Sequence, residues 1–102
     1  MGKKNISSYT ALLQKDEESF LEFLKAKFPV FYNSNFFYRD LEYGIRSFLE
    51  KKNIFITYGE ADKLAQLMGK YFEKKGIFIK VSKTGWKVNY PEFATTEPGD
   101  PF

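Results

Sequence analysis

The chain has 102 residues, a formal net charge of +3, and neither cysteine nor histidine. That length reads as one domain with at most short tails. The missing residue types exclude disulfides, thiolate nucleophiles, Cys/His zinc sites and histidine-based triads or proton shuttles.

Residues 1–6 are polar and are expected to be disordered. The opening Met-Gly-Lys-Lys-Asn-Ile has no apolar run after its lysines, so it is not read as a secretory signal. It also misses the myristoylation pattern, which needs Ser or Thr where Ile6 stands. No stretch approaches the length of a membrane span. No membrane partner is expected, and the chain is read as cytoplasmic.

A single α+β domain is expected over residues 7–91. Ser7 or Ser8 can cap a first helix reaching Gln14 or beyond. A helical run follows from Asp16 to Phe28, with Phe20, Phe23, Leu24 and Phe28 on one stripe and Glu18, Glu22 and Lys25 facing away. The pattern leaves open whether residues 8–28 form one helix or two. Pro29 ends the run, because the residue before a proline avoids the helical region. Asn33, Ser34 and Asn35 read as a turn. The next helix is expected from about Phe36 to Lys52, burying Phe37, Leu41, Ile45, Phe48 and Leu49, with Gly44 marking a close helix crossing.

Asn53 to Thr57 is a short β-prone run. Thr57 and Glu60 are spaced as a capping box and open a helix over residues 58–75. Ala61, Leu64, Ala65, Met68, Tyr71 and Phe72 form its stripe, and Gly76 stands where a left-handed cap is needed. The stripe stays in phase through Gly69, which favours one unbroken helix over a turn there. Residues 77–82 and 86–90 alternate as two strands around Lys83-Thr84-Gly85, with Gly85 expected to supply a positive φ. Pro91 ends the pairing, and 92–102 reads as an extended acidic tail.

Charge is unevenly placed. Residues 1–50 balance, whereas 51–90 carry nine lysines against Glu60, Asp62 and Glu73, and 91–102 carry only Glu92, Glu97 and Asp100. A basic middle of this kind suits an acidic partner. The order of helix 36–52, strand 53–57, helix 58–75 and hairpin strands 77–82 and 86–90 resembles winged-helix DNA-binding domains, in which a first strand pairs with a final hairpin beside a recognition helix. Counted this way, one helix lies between the first strand and the hairpin, where that family has two.

The resemblance implies a nucleic-acid interface. Lys63, Lys70 and Lys74 on the helix, with Lys80, Lys83 and Lys87 on the hairpin, would take backbone phosphates or another anion. Lysines position a nucleic acid but read bases poorly, so low sequence specificity is expected.

A second candidate is a partner-binding set. The aromatic run 31–40 can expose Tyr32, Phe36 or Tyr38 as interface anchors. The C-terminal Asp100-Pro101-Phe102 resembles the acidic, Pro-Phe-ending tip of bacterial single-stranded-DNA-binding proteins, which docks into partner pockets. The alternative to nucleic-acid binding is therefore a protein–protein adaptor, and an acidic protein surface is a second partner for the lysines.

No enzyme is expected, since Asp16, Glu17 and Glu18 read as helix-start acids and no carboxylate pair stands in an acid–base setting. No cofactor or metal is expected. Oligomeric state is left open.

Overall fold

A computed structural model describes residues 5–28 and 34–90. The fold is α+β. Its elements run α1 (Ile6–Lys15), α2 (Glu17–Lys27), β1 (Asn35–Phe37), α3 (Tyr38–Glu50), α4 (Tyr58–Lys74), β2 (Phe78–Ser82) and β3 (Gly85–Val88). The strands form one antiparallel sheet in the order β1-β3-β2.

The N-terminal segment is two helices, broken at Asp16, which ends α1 and starts α2. The cap of α1 is Asn5, not Ser7 or Ser8. Its Oδ1 accepts the Ser8 N–H at 3.0 Å, so the serines lie inside the first turn. Phe28, just before Pro29, is extended, as the proline requires.

The first strand lies at 35–37, not 53–57. Asn35–Phe37 pairs with Gly85–Lys87, and only then does α3 begin, with Asp40 Oδ2 accepting the Phe37 N–H at 3.4 Å. Residues 53–57 form no strand. Asn53 takes φ 62 and closes α3 as a glycine commonly would. The Ile54 N–H donates to Leu49 O and the Asn53 N–H to Glu50 O. Burial does alternate there, since Ile56 is buried and Phe55 is 72% exposed. Among the described residues no strand meets that segment.

Thr57 and Glu60 form the expected capping box, with Glu60 N–H to Thr57 Oγ1 at 3.1 Å and Thr57 N–H to Glu60 Oε1 at 2.9 Å. α4 then runs unbroken through Gly69 to Lys74. Gly76, at φ 76, ends it, with Ile77 N–H bonded back to Phe72 O and Gly76 N–H to Glu73 O. Asn89 Nδ2 donates to Gly76 O at 3.0 Å, tying the end of β3 to this cap.

The core is largely aromatic. Rings link Phe48 to Phe20 (5.2 Å), Phe20 to Phe72 (6.2 Å), Phe72 to Phe78 (5.0 Å) and Phe78 to Trp86 (5.1 Å), joining α2, α3, α4 and the sheet. Trp86 seats on Gly69. A Cβ added there would lie 2.7 Å from Trp86 Cζ2. Gly44 lets α2 cross α3 closely, against Leu24. Gly85 has no positive φ among the described residues, contrary to expectation. It is instead buried beside Phe37 and Phe36 O, next to an irregularity in the β2–β3 register.

Candidate nucleic-acid interface

The nine lysines of 51–90 sort into two groups. Lys52 and Lys75 reach back to the junction of α1 and α2. Lys52 Nζ lies 3.2 Å from Asp16 Oδ2, and Lys75 Nζ lies 2.8 Å from Glu17 Oε1. Tyr71 Oη also donates to Glu17 at 2.7 Å. Burial alone would raise the Glu17 carboxyl, but these hydrogen bonds outweigh it and hold the group below its usual range. Lys51 sits over the Phe23 ring at 5.8 Å.

The other six are Lys63, Lys70, Lys74, Lys80, Lys83 and Lys87. All are exposed, and none makes an ion pair with a described residue. Lys63, Lys70 and Lys74 stand seven and four residues apart, which puts them on one stripe of α4 with Leu67. Lys80 faces the same side of the sheet as its partner Trp86, whereas Lys87 pairs across to Ile79 and Asn35 on the opposite side. The hairpin lysines therefore do not form one face.

What the fold brings together is Lys70, Lys80 and Lys83. They line a groove of about 620 Å³ between α4 and the hairpin, with Gln66 and Thr84 on its walls and Trp86 and Tyr38 deeper in. Lys63, Lys74 and Lys87 lie outside this lining. Two acids share it, and each is held by neutral donors. Trp86 Nε1 donates to Glu73 Oε2 at 2.6 Å. Tyr38 Oη donates to Asp62 Oδ1 at 2.6 Å, and Gln66 Nε2 donates to Asp62 Oδ2 at 3.1 Å.

The Tyr38 bond, then those from Glu42 and Gln66, keep Asp62 below the usual carboxylate range. Burial, followed by the neighbouring Asp62, pushes Glu42 up. Tyr38 is likewise pushed up by burial and by Asp62.

The partner-binding set fares differently. Phe36 is 1% exposed and packs against Phe28 and Phe78, so it is a core residue and not an anchor. Strand alternation turns Phe36 inward once β1 is recognised. Tyr38 is half-buried, its hydroxyl spent on Asp62. Tyr32, Asp100, Pro101 and Phe102 lie outside the described residues.

Within 31–40 the exposed aromatic among the described residues is Phe37, at 52%, expected on the buried face of α3 but placed on the outer side of β1. Other exposed large apolar side chains include Tyr43, Phe55, Tyr58, Ile79 and Val81. Sequence reasoning also passed over the chain's two arginines as site residues. Arg39 and Arg46 line a crevice between α3 and the start of α4 together with Tyr43 and Tyr58. Their spacing of seven on a helix was the available signal.

No protein-family model, curated protein or solved structure matches this chain.

Proposed function

We propose that this chain is a small non-enzymatic, winged-helix-like module that binds nucleic acid with low sequence specificity through the groove between α4 and the β2–β3 hairpin. The observation that carries this reading is the grouping of Lys70, Lys80 and Lys83 along one groove with no acid among the described residues paired to them. Three ammonium groups on two rigid elements suit successive phosphates. Gln66 on the α4 wall is the one amide there able to meet a base edge.

The element order supports the winged-helix reading. With the first strand at 35–37, two helices, α3 and α4, separate it from the hairpin, and the first strand pairs with the last. That is the arrangement in which the second of the two helices serves as the recognition helix.

A second reading, the protein–protein adaptor, has one observation in its favour. The outward face of the sheet exposes Phe37, Ile79 and Val81 around Gly85, a cluster of the kind that marks association surfaces.

The test is fluorescence anisotropy of labelled DNA across a salt series, comparing the wild type with Lys70→Ala/Lys80→Ala/Lys83→Ala. Each lost phosphate contact lowers the slope of log affinity on log salt by about 0.7 to 0.9, so the triple variant is expected to lose roughly 2 to 3 from the slope. A charge-matched control, Lys15→Ala/Lys51→Ala/Lys87→Ala, lies outside the groove lining and should keep the wild-type slope. Equal losses in both variants would mean that total charge, not the groove, governs binding. No binding by the wild type at low salt would leave the adaptor reading.

A further inference from the structure

The α4–hairpin groove continues past the hairpin. Tyr38 and Thr84 line it and also line a second depression of about 540 Å³ with Phe37 and Arg39. Arg39 and Glu42 belong in turn to the crevice of about 200 Å³ between α3 and the start of α4. The three depressions thus adjoin through shared lining residues, in series from Lys70 and Lys80 to Tyr58.

Bases and acids are held differently along this path. Lys70, Lys80, Lys83 and Arg39 are exposed, whereas Asp40, Glu42, Asp62 and Glu73 are all half-buried. Three of these acids accept from protein donors: Asp40 from the Phe37 N–H, Asp62 from Tyr38 and Gln66, and Glu73 from Trp86. With Arg46 the path carries five bases against these four acids, and four of the five bases are exposed while the acids are not.

Its far end has a distinct chemistry. Arg39 and Arg46 stand two helical turns apart, about 10 Å along the axis. The Arg46 guanidinium lies 4.3 Å from the centroid of the Tyr58 ring. Its Nη2 comes no nearer than 3.9 Å to Glu50 Oε2, and its buried Nε meets no acceptor among the described residues. A guanidinium over a ring, with no carboxylate among the described residues in hydrogen-bond reach, suits a phosphate oxygen. Beside it, Tyr58 is 77% and Tyr43 51% exposed. Exposed rings next to a basic track provide stacking surfaces for unpaired bases. A duplex keeps its base faces inside the stack and cannot use them.

We propose that the ligand is a single-stranded nucleic acid that lies along this path, its backbone on Lys70, Lys83 and Arg39, its last phosphate on Arg46 and its bases stacked on Tyr43 and Tyr58. The inference rests on the nucleic-acid reading of the groove and assigns the ligand class.

The experiment titrates the full chain into labelled oligothymidylates of about 4, 8 and 16 nucleotides and into a labelled blunt duplex. Affinity should rise with oligomer length. Arg39→Gln and Tyr58→Ala should each weaken the longest oligomer by about 5-fold or more while leaving the shortest oligomer and the duplex unchanged. Both side chains are exposed, so circular dichroism should match the wild type.

A duplex bound as tightly as the longest oligomer overturns the inference. So do unchanged affinities in both variants when the Lys70/Lys80/Lys83 variant has lost binding, and in either case the groove reading stands. Failure of every probe to bind overturns both.

Discussion

Gly69→Ala isolates how tightly the hairpin is seated on α4, and its sign runs against helix propensity. Alanine in place of an interior helical glycine contributes about 1 kcal/mol of stability by propensity alone. At position 69, however, the new Cβ would lie 2.7 Å from Trp86 Cζ2 and 3.2 Å from Cη2. The indole cannot swing aside, because it is 4% exposed, packed 5.1 Å from Phe78 and bonded through Nε1 to Glu73 at 2.6 Å.

The hairpin must therefore retreat from the helix. Overpacking of this kind costs about 1–3 kcal/mol, and losing a hydrogen bond to a charged group costs about 1.5–3 kcal/mol more. Set against the propensity gain, the net loss is about 1.5–5 kcal/mol, which lowers Tm by on the order of 10 °C or more in a domain this size.

The same substitution at Gly59 meets nothing closer than Thr57 Oγ1 at 3.9 Å and should be neutral or stabilising by up to about 1 kcal/mol. Thermal unfolding followed by far-UV circular dichroism reads both. Trp86, the only tryptophan, reports the seat directly through its emission. A Gly69→Ala protein as stable as the wild type, with unchanged emission, would refute the reasoning.

Three further outcomes follow from named contacts. Glu17 is held below the usual carboxylate range in the fold, so the unfolded chain binds the extra proton and the stability of this contact is lost as pH falls through the lowered value. Urea unfolding at acidic and neutral pH should show a smaller pH dependence in Glu17→Gln than in the wild type. Glu42 is raised, so the opposite sign applies. Its contribution is fully present below the ordinary glutamate range and fades as pH rises through the raised value. Glu42→Gln should thus raise Tm at neutral pH and change it little in acid, and a lower neutral Tm would contradict this. Asn53→Ala places a Cβ-bearing residue without a polar side chain at φ 62 and should cost about 1–2 kcal/mol, whereas Asn53→Gly should not, as denaturant midpoints would record.

Much of the fold was legible because local chemistry and tertiary packing agreed. The Thr57–Glu60 capping box, the unbroken stripe of α4 and the Gly76 stop are all set by neighbouring residues, and each stands as read. The displaced first strand is the opposite case. Residues 35–37 are too few to show a period, and what makes them a strand is β3, fifty residues away. Residues 53–57 have the β-prone composition but no partner edge among the described residues, and Asn53 acts as a helix cap.

The candidate site was legible in part. Lysine positions could be read, but which of them are neutralised depends on Asp16 and Glu17 folding back from the other end of the chain. That Lys80 and Lys87 face opposite ways follows from their odd spacing combined with the hairpin register. Gathering Arg39 and Arg46 with Tyr58 required knowing how α3 meets α4.

The β1–β3 pairing has a kinetic consequence. It joins residues 35–37 to 85–87 and encloses α3, α4 and β2 in a closed loop. Closing a loop of that length costs entropy before a three-residue ladder repays any of it. α4 and the hairpin, by contrast, are contiguous in sequence, and the Gly76 cap with its Asn89 bond joins them locally. In folding, the groove walls can therefore assemble early from neighbouring chain, while β1 docks late. Non-local pairing of this kind slows folding relative to an all-local helical bundle. Substitutions in β1 that weaken its docking without touching that early assembly should then act mainly on the unfolding rate.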